Sequence, residues 1–111
     1  MKRGINLFID DILQGIKDIE SFSKGLTRDK FQNDKLKQNA IIRSLEIIGE
    51  AVKNIPQSFR EAYPKIAWKE IAGFRDVLSH AYFGVDLVRV WKIIEIDLPQ
   101  LKEQISKIKL K

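Results

Sequence analysis

The 111 residues are enough for one domain and leave little room for a second. With 44% hydrophobic and 32% charged residues the chain can bury a core and still present a polar surface, which excludes the disordered class. No cysteine and a single histidine exclude disulfides, thiolate metal sites, cysteine nucleophiles and any centre that needs two imidazoles from one chain.

The first predicted element is a helix of about six turns, because Ile5, Phe8, Ile9, Ile12, Leu13, Ile16, Ile19 and Phe22 recur at steps of three and four. Gly25 stands where a helix C′ residue belongs, with Lys24 in the last turn. Residues 25–32 are polar without a period and read as a loop, and Asn33 or Asp34 is the expected N-cap of the second helix. On that helix Ile41, Leu45, Ile48, Val52 and Ile55 form one row, and Ala40, Ser44, Ile47 and Ala51 form a neighbouring row of mostly small residues. An arc this broad predicts packing on two sides, the small residues admitting a close partner. Pro56 closes the helix, and residues 57–63 are read as one short turn before Pro64.

A third helix is expected from Pro64 through Trp68, Ile71, Ala72 and Leu78 to Ser79. Gly84 breaks the chain, and Asp86 caps a fourth helix with the stripe Leu87, Val90, Trp91, Ile94, Leu98, Leu101, Ile105 and Ile108. Pro99 marks a kink or restart in it, and Lys102, Lys107, Lys109 and Lys111 suit the negative end of a helix dipole. No alternation of period two is present. The expected fold is all-α, an up-and-down bundle of four main helices with an added short turn, in a single domain over residues 1–111.

Twenty Lys and Arg against fifteen Asp and Glu give a formal charge of +5 and a pI near 9.5, which favours an anionic partner such as nucleic acid. Lys35, Lys37, Arg43, Arg60, Lys65 and Lys69 are candidates to border a groove, each being otherwise a surface residue. Arg43 and Glu50, seven apart on the second helix, are placed to line one cleft. The basic start is interrupted by Asp10 and Asp11 before any apolar run forms, so neither a signal peptide nor a membrane span is read, and the expected location is the cytoplasm.

The chemistry concentrates in residues 68–82. Arg75 continues the stripe of Trp68, Ile71, Ala72 and Leu78, so it either snorkels to the edge or faces a pocket or second subunit. Asp76 and His80, four apart, share a helical face on which the carboxylate can hold one ring nitrogen and set the tautomer. A histidine near a helix C-terminus is also favoured by the dipole alone. Arg75 and His80, five apart, diverge by about 140° on an ideal helix, so they meet at one phosphate only if the helix ends or distorts there. Tyr82 near a helix end can bury its ring and keep its hydroxyl wet.

Arg75-x4-His80-x-Tyr82 resembles the R-x4-H-x-Y motif of the HepT-like toxins, members of the all-helical HEPN superfamily. The stretch Ile48-Gly49-Glu50-Ala51, Trp68 upstream of the motif and the run from Tyr82 to Trp91 look like the same family. Members often carry Asn after the arginine, where this chain has Asp76. The resemblance implies a ribonuclease toxin that cuts RNA without a metal or cofactor and works as a homodimer whose two motif copies line one cleft. It also implies a nucleotidyltransferase antitoxin that silences the toxin by adding AMP to the motif tyrosine. Carried over, Arg75 and His80 are catalytic, Asp76 supports them, and Tyr82 is the modified residue.

Histidine near its ordinary pKa serves as base or acid at neutral pH, and an arginine fork binds phosphate oxygens as charge builds. With one imidazole per subunit, a two-residue acid–base scheme needs His80 from a second copy, or Arg75 and Tyr82 in the other role. Residues 72–82 of both chains are expected to face a shared groove, with the small-residue row of the second helix supplying part of the contact. Two other readings stay open here: a non-catalytic nucleotide- or RNA-binding companion of a nucleotidyltransferase, and a structural helical dimer whose charge is a solvated face.

Overall fold

The computed structural model describes residues 4–74 and 87–108, which are all-α with no strand among them. The elements are α1 (Ile5–Ser23), α2 (Arg28–Gln32), α3 (Lys35–Lys53), α4 (Gln57–Ala62), α5 (Trp68–Ala72) and α6 (Leu87–Lys92), followed by a π-helical turn (Ile93–Asp97) and α7 (Leu98–Ser106).

The predicted stripe of α1 is its buried face: Ile9, Ile12, Ile16 and Ile19 are all at most 2% exposed. It lies on Ile41, Leu45, Ile48 and Val52 of α3, none of which is exposed at all. The two helices run antiparallel, since Phe8 and Asp11 border the C-terminal half of α3 while Gly15 faces Ser44 and Ile48. Gly15 is required there, because a Cβ on it would sit 2.6 Å from Ile48 Cγ1. The close approach that the small residues of α3 permit is therefore made by α1 of the same subunit. Of that row, Ser44 and Ala51 are buried and Ile47 remains 41% exposed.

Both ends of the first interhelical connection follow the sequence: Gly25 holds φ +76°, and Asp34 caps α3 by accepting from the Lys37 N–H at 3.0 Å. Between them the expected loop is corrected, because α2 forms. Thr27 caps it by accepting from the Lys30 N–H at 3.2 Å, and Phe31 is fully buried with its ring centroid 5.5 Å from that of Trp91. One aromatic anchor holds a helix too short to show a period.

Residues 57–62 form the predicted short turn, α4. Its Arg60 reaches back to the end of α3, donating from Nη2 to the Val52 carbonyl at 2.6 Å and from Nε to the Ile55 carbonyl at 3.1 Å. Arg60 thus ties α4 to the end of α3 rather than bordering a groove, adding a second donor to the Val52 carbonyl, which also accepts from the Ile55 N–H at 3.1 Å. Arg60→Ala is expected to lower stability by about 1.5–3 kcal/mol, and Arg60→Lys to recover little because lysine lacks the fork. Urea denaturation of both variants checks this. Trp68 then fixes α5 under α4, its Nε1 donating to the Tyr63 carbonyl at 3.0 Å and the Arg60 carbonyl at 3.2 Å.

The third helix starts as α5 at Trp68, with Gly73 as its C-cap; the remainder of the predicted span, residues 75–79, lies outside the described residues. The fourth is continuous from Leu87 to Ser106, and Pro99 falls in the first turn of α7 directly after the π turn. In that turn the Leu98 N–H bonds five residues back to the Ile93 carbonyl. The buried positions step by five from Ile93 to Leu98, then by three and four to Leu101 and Ile105. The wider winding keeps Leu98 in the core just before Pro99, which has no N–H to offer an α-helical partner.

Candidate active site

Arg75, Asp76, His80 and Tyr82 all lie outside the described residues, and so does Asp86, the expected cap of the fourth helix. What the structure describes is the frame on either side of them. α5 ends at Gly73 and Phe74, and α6 begins at Leu87. Both flanks open onto a single cleft of about 970 Å³.

The floor of this cleft is apolar: Ile71, Phe74, Ile93 and Leu101 line it, each at most 6% exposed. Its rim is mainly cationic, with Lys65 and Lys69 on one side and Arg89 and Lys92 on the other, against Glu70 and Asp97. Among the described residues Lys65, Lys69 and Lys92 make no ion pair, so their charge is not neutralised by a carboxylate. Gln104 of α7 donates to the Lys65 carbonyl at 3.1 Å and ties the two walls together. Two residues of the π turn, Ile93 and Asp97, face the cleft.

Of the six cations proposed as groove-lining, only Lys65 and Lys69 share this cleft. Arg89 and Lys92 were missed, although their spacing of three on one helix places them on one side of it. Arg43 and Glu50 do line one cleft, as their seven-residue step predicts. It is a smaller groove of about 310 Å³ between α1 and α3, shared with Phe8, Asp11, Glu46 and Ile47. There Arg43 Nη1 pairs with Glu46 Oε2 at 3.4 Å, both partly exposed. No helix among the described residues is long and apolar enough to cross a membrane.

Residues 12–108 match the family model described as Ribonuclease HepT-like. The chain is 46% identical over 109 residues to "Probable ribonuclease HepT" of Thermococcus cleftensis, covering 98% of this chain and 99% of that one. It is 47% identical over 107 residues to "Putative RNase MJ1216" of Methanocaldococcus jannaschii, covering 96% of this chain and 88% of the relative. A third relative, "Gamma-glutamylcyclotransferase and putative RNase MJ0434" of the same organism, is 47% identical over 108 residues; these are 97% of this chain and 49% of that protein, about half its length. No solved structure matches the chain.

Proposed function

This chain belongs to the HepT-like ribonuclease family, and from that premise we propose that it is the toxin of a toxin–antitoxin pair in the cytoplasm. It acts as a homodimeric, metal-independent endoribonuclease. The observation that carries this reading is the motif Arg75-x4-His80-x-Tyr82, lying within the family match over residues 12–108.

The reaction uses groups already in RNA. The 2′-oxygen attacks the adjacent phosphorus, a base takes its proton, and the bond from phosphorus to the 5′-oxygen breaks. An acid returns a proton to that 5′-oxygen, leaving a 2′,3′-cyclic phosphate and a 5′-hydroxyl end. His80 holds or moves a proton in this scheme, because imidazole titrates near neutral pH. The Arg75 fork binds the nonbridging oxygens as negative charge builds on them, and Asp76 orients His80. The twofold axis of a dimer supplies the second copy of each group.

Tyr82 is the control point. A nucleotidyltransferase antitoxin directs its phenolic oxygen at the α-phosphorus of ATP; the bond to the β-phosphate breaks, and pyrophosphate leaves. The attached AMP brings bulk and negative charge to a site that must attract phosphate, so RNA is shut out.

Expression in cells tests both halves. Wild type arrests growth with loss of RNA, whereas Arg75→Ala and His80→Ala do not. Tyr82→Phe stays toxic and is not rescued by the transferase. Equal behaviour of wild type, Arg75→Ala and His80→Ala makes the chain a non-catalytic companion of the transferase. Full rescue of Tyr82→Phe removes the modification from this position. Sedimentation across concentration reads the dimer, and a constant monomer mass contradicts it.

A further inference from the structure

We propose that the cleft between α5 and the helix running from α6 to α7 is the track for single-stranded RNA, with Lys65, Lys69 and Lys92 as its phosphate contacts. The proposal rests on the ribonuclease reading and assigns the path by which substrate reaches the motif-bearing segment.

Three independent observations converge on it. The first is charge: three lysines without ion pairs among the described residues stand around one opening, a poor arrangement unless an anion is drawn in. The second is the surface between them. At about 970 Å³ the cleft is at the upper end of ligand-site volumes, ~300–1,000 Å³. Its lining includes Phe74 and Val88, and Val88 keeps 47% of its surface exposed. Cations beside an apolar surface match a strand whose phosphates and unpaired bases are both accessible. A duplex, with its bases stacked inside, has no use for the apolar part. The third is position. Phe74 and Val88 both line this cleft, and in sequence they flank the segment that carries Arg75 and His80. The π turn on the cleft wall fits the same picture, since such turns recur at functional sites.

An acidic protein surface is the competing occupant. It explains the lysines but leaves the exposed apolar lining at Val88 unused.

The test compares the full chain carrying Lys65→Gln, Lys69→Gln and Lys92→Gln with a control carrying Lys17→Gln, Lys24→Gln and Lys30→Gln, which lie on α1, α2 and their connection away from the cleft. Anisotropy of a labelled 12-nucleotide single-stranded RNA is measured across salt. The cleft variant is expected to bind at least tenfold more weakly than the control at low salt, with its log–log salt slope reduced by about 2, three contacts at ~0.7 each. KM for cleavage of the 12-mer is expected to rise in the cleft variant and to stay at the wild-type value in the control. Equal affinity and slope in the two triple variants overturn the proposal. So does an equal loss on duplex RNA, or a loss confined to the binding of an acidic protein. Because the anisotropy needs no cleavage, absence of ribonuclease activity in the wild type removes the reading beneath the proposal and leaves the cleft assignment to be judged by binding.

Discussion

His80→Ala is expected to slow RNA cleavage by about 10²–10⁴-fold, the loss that follows removal of a positioned proton-transfer group. The residual rate loses the imidazole's contribution to the pH profile, because the chain has no second histidine to replace the one removed. Arg75→Ala is expected to cost about 10²–10³-fold, the scale set by losing one electrostatic contact to a developing oxyanion. Arg75→Lys does not restore it, because a point charge cannot reproduce the fork's two parallel contacts. Single-turnover cleavage of one oligonucleotide across pH 5–9 separates these effects, with circular dichroism to confirm that each variant is folded. A His80→Ala enzyme that cleaves at the wild-type rate contradicts the assignment.

Phe31→Ala is expected to destabilise the fold by about 3–5 kcal/mol, the usual range for emptying a buried aromatic site. Phe31 is the one buried residue of α2, and a five-residue helix has no stability apart from its docking. Its ring fills the space beside Trp91, and its carbonyl accepts from Gln38 Nε2 at 2.8 Å, so α2 bridges α3 and α6. Removing the ring loosens that bridge as well as leaving a cavity. By contrast, Leu36→Ala, at a side chain 79% exposed, is expected to change stability by less than about 0.5 kcal/mol. Urea denaturation of the two variants beside wild type decides the matter. Equal midpoints for all three contradict the anchoring role.

The long elements were legible from sequence because each carries one apolar stripe over many turns: Ile9 to Ile19 on α1, Ile41 to Val52 on α3. Their ends were legible where a cap has a side-chain signature, as with Asp34, or a backbone requirement, as with Gly25. α2 escaped because one buried phenylalanine has no period; its only sign was Thr27 placed to cap the Lys30 N–H. The π turn escaped because Ile93, Ile94 and Ile96 form an almost continuous apolar run that hides a shift of register. Only Ile93 of these is buried, and the step to Leu98 reveals the winding once burial is known.

The candidate site divides in the same way. Arg75, His80 and Tyr82 were found by their resemblance to a family motif, since spacing alone favoured a snorkelling arginine and a dipole-stabilised histidine. The cationic rim was only half legible. Lys65 and Lys69 are separated from Arg89 and Lys92 by about twenty residues of chain, and tertiary packing alone puts them around one opening. Arg60 shows the converse: a cation that looked available for a ligand is occupied by the carbonyls of Val52 and Ile55 at the end of α3.

The most direct test is incubation of the purified wild-type chain with single-stranded RNA in excess EDTA, with the fragment ends identified and His80→Ala run in parallel. Fragments bearing 2′,3′-cyclic phosphate and 5′-hydroxyl ends in the wild-type reaction, and none above background with His80→Ala, are the result expected of an imidazole- and guanidinium-driven transesterification. Intact RNA in both reactions, or the same fragments in both, contradicts it.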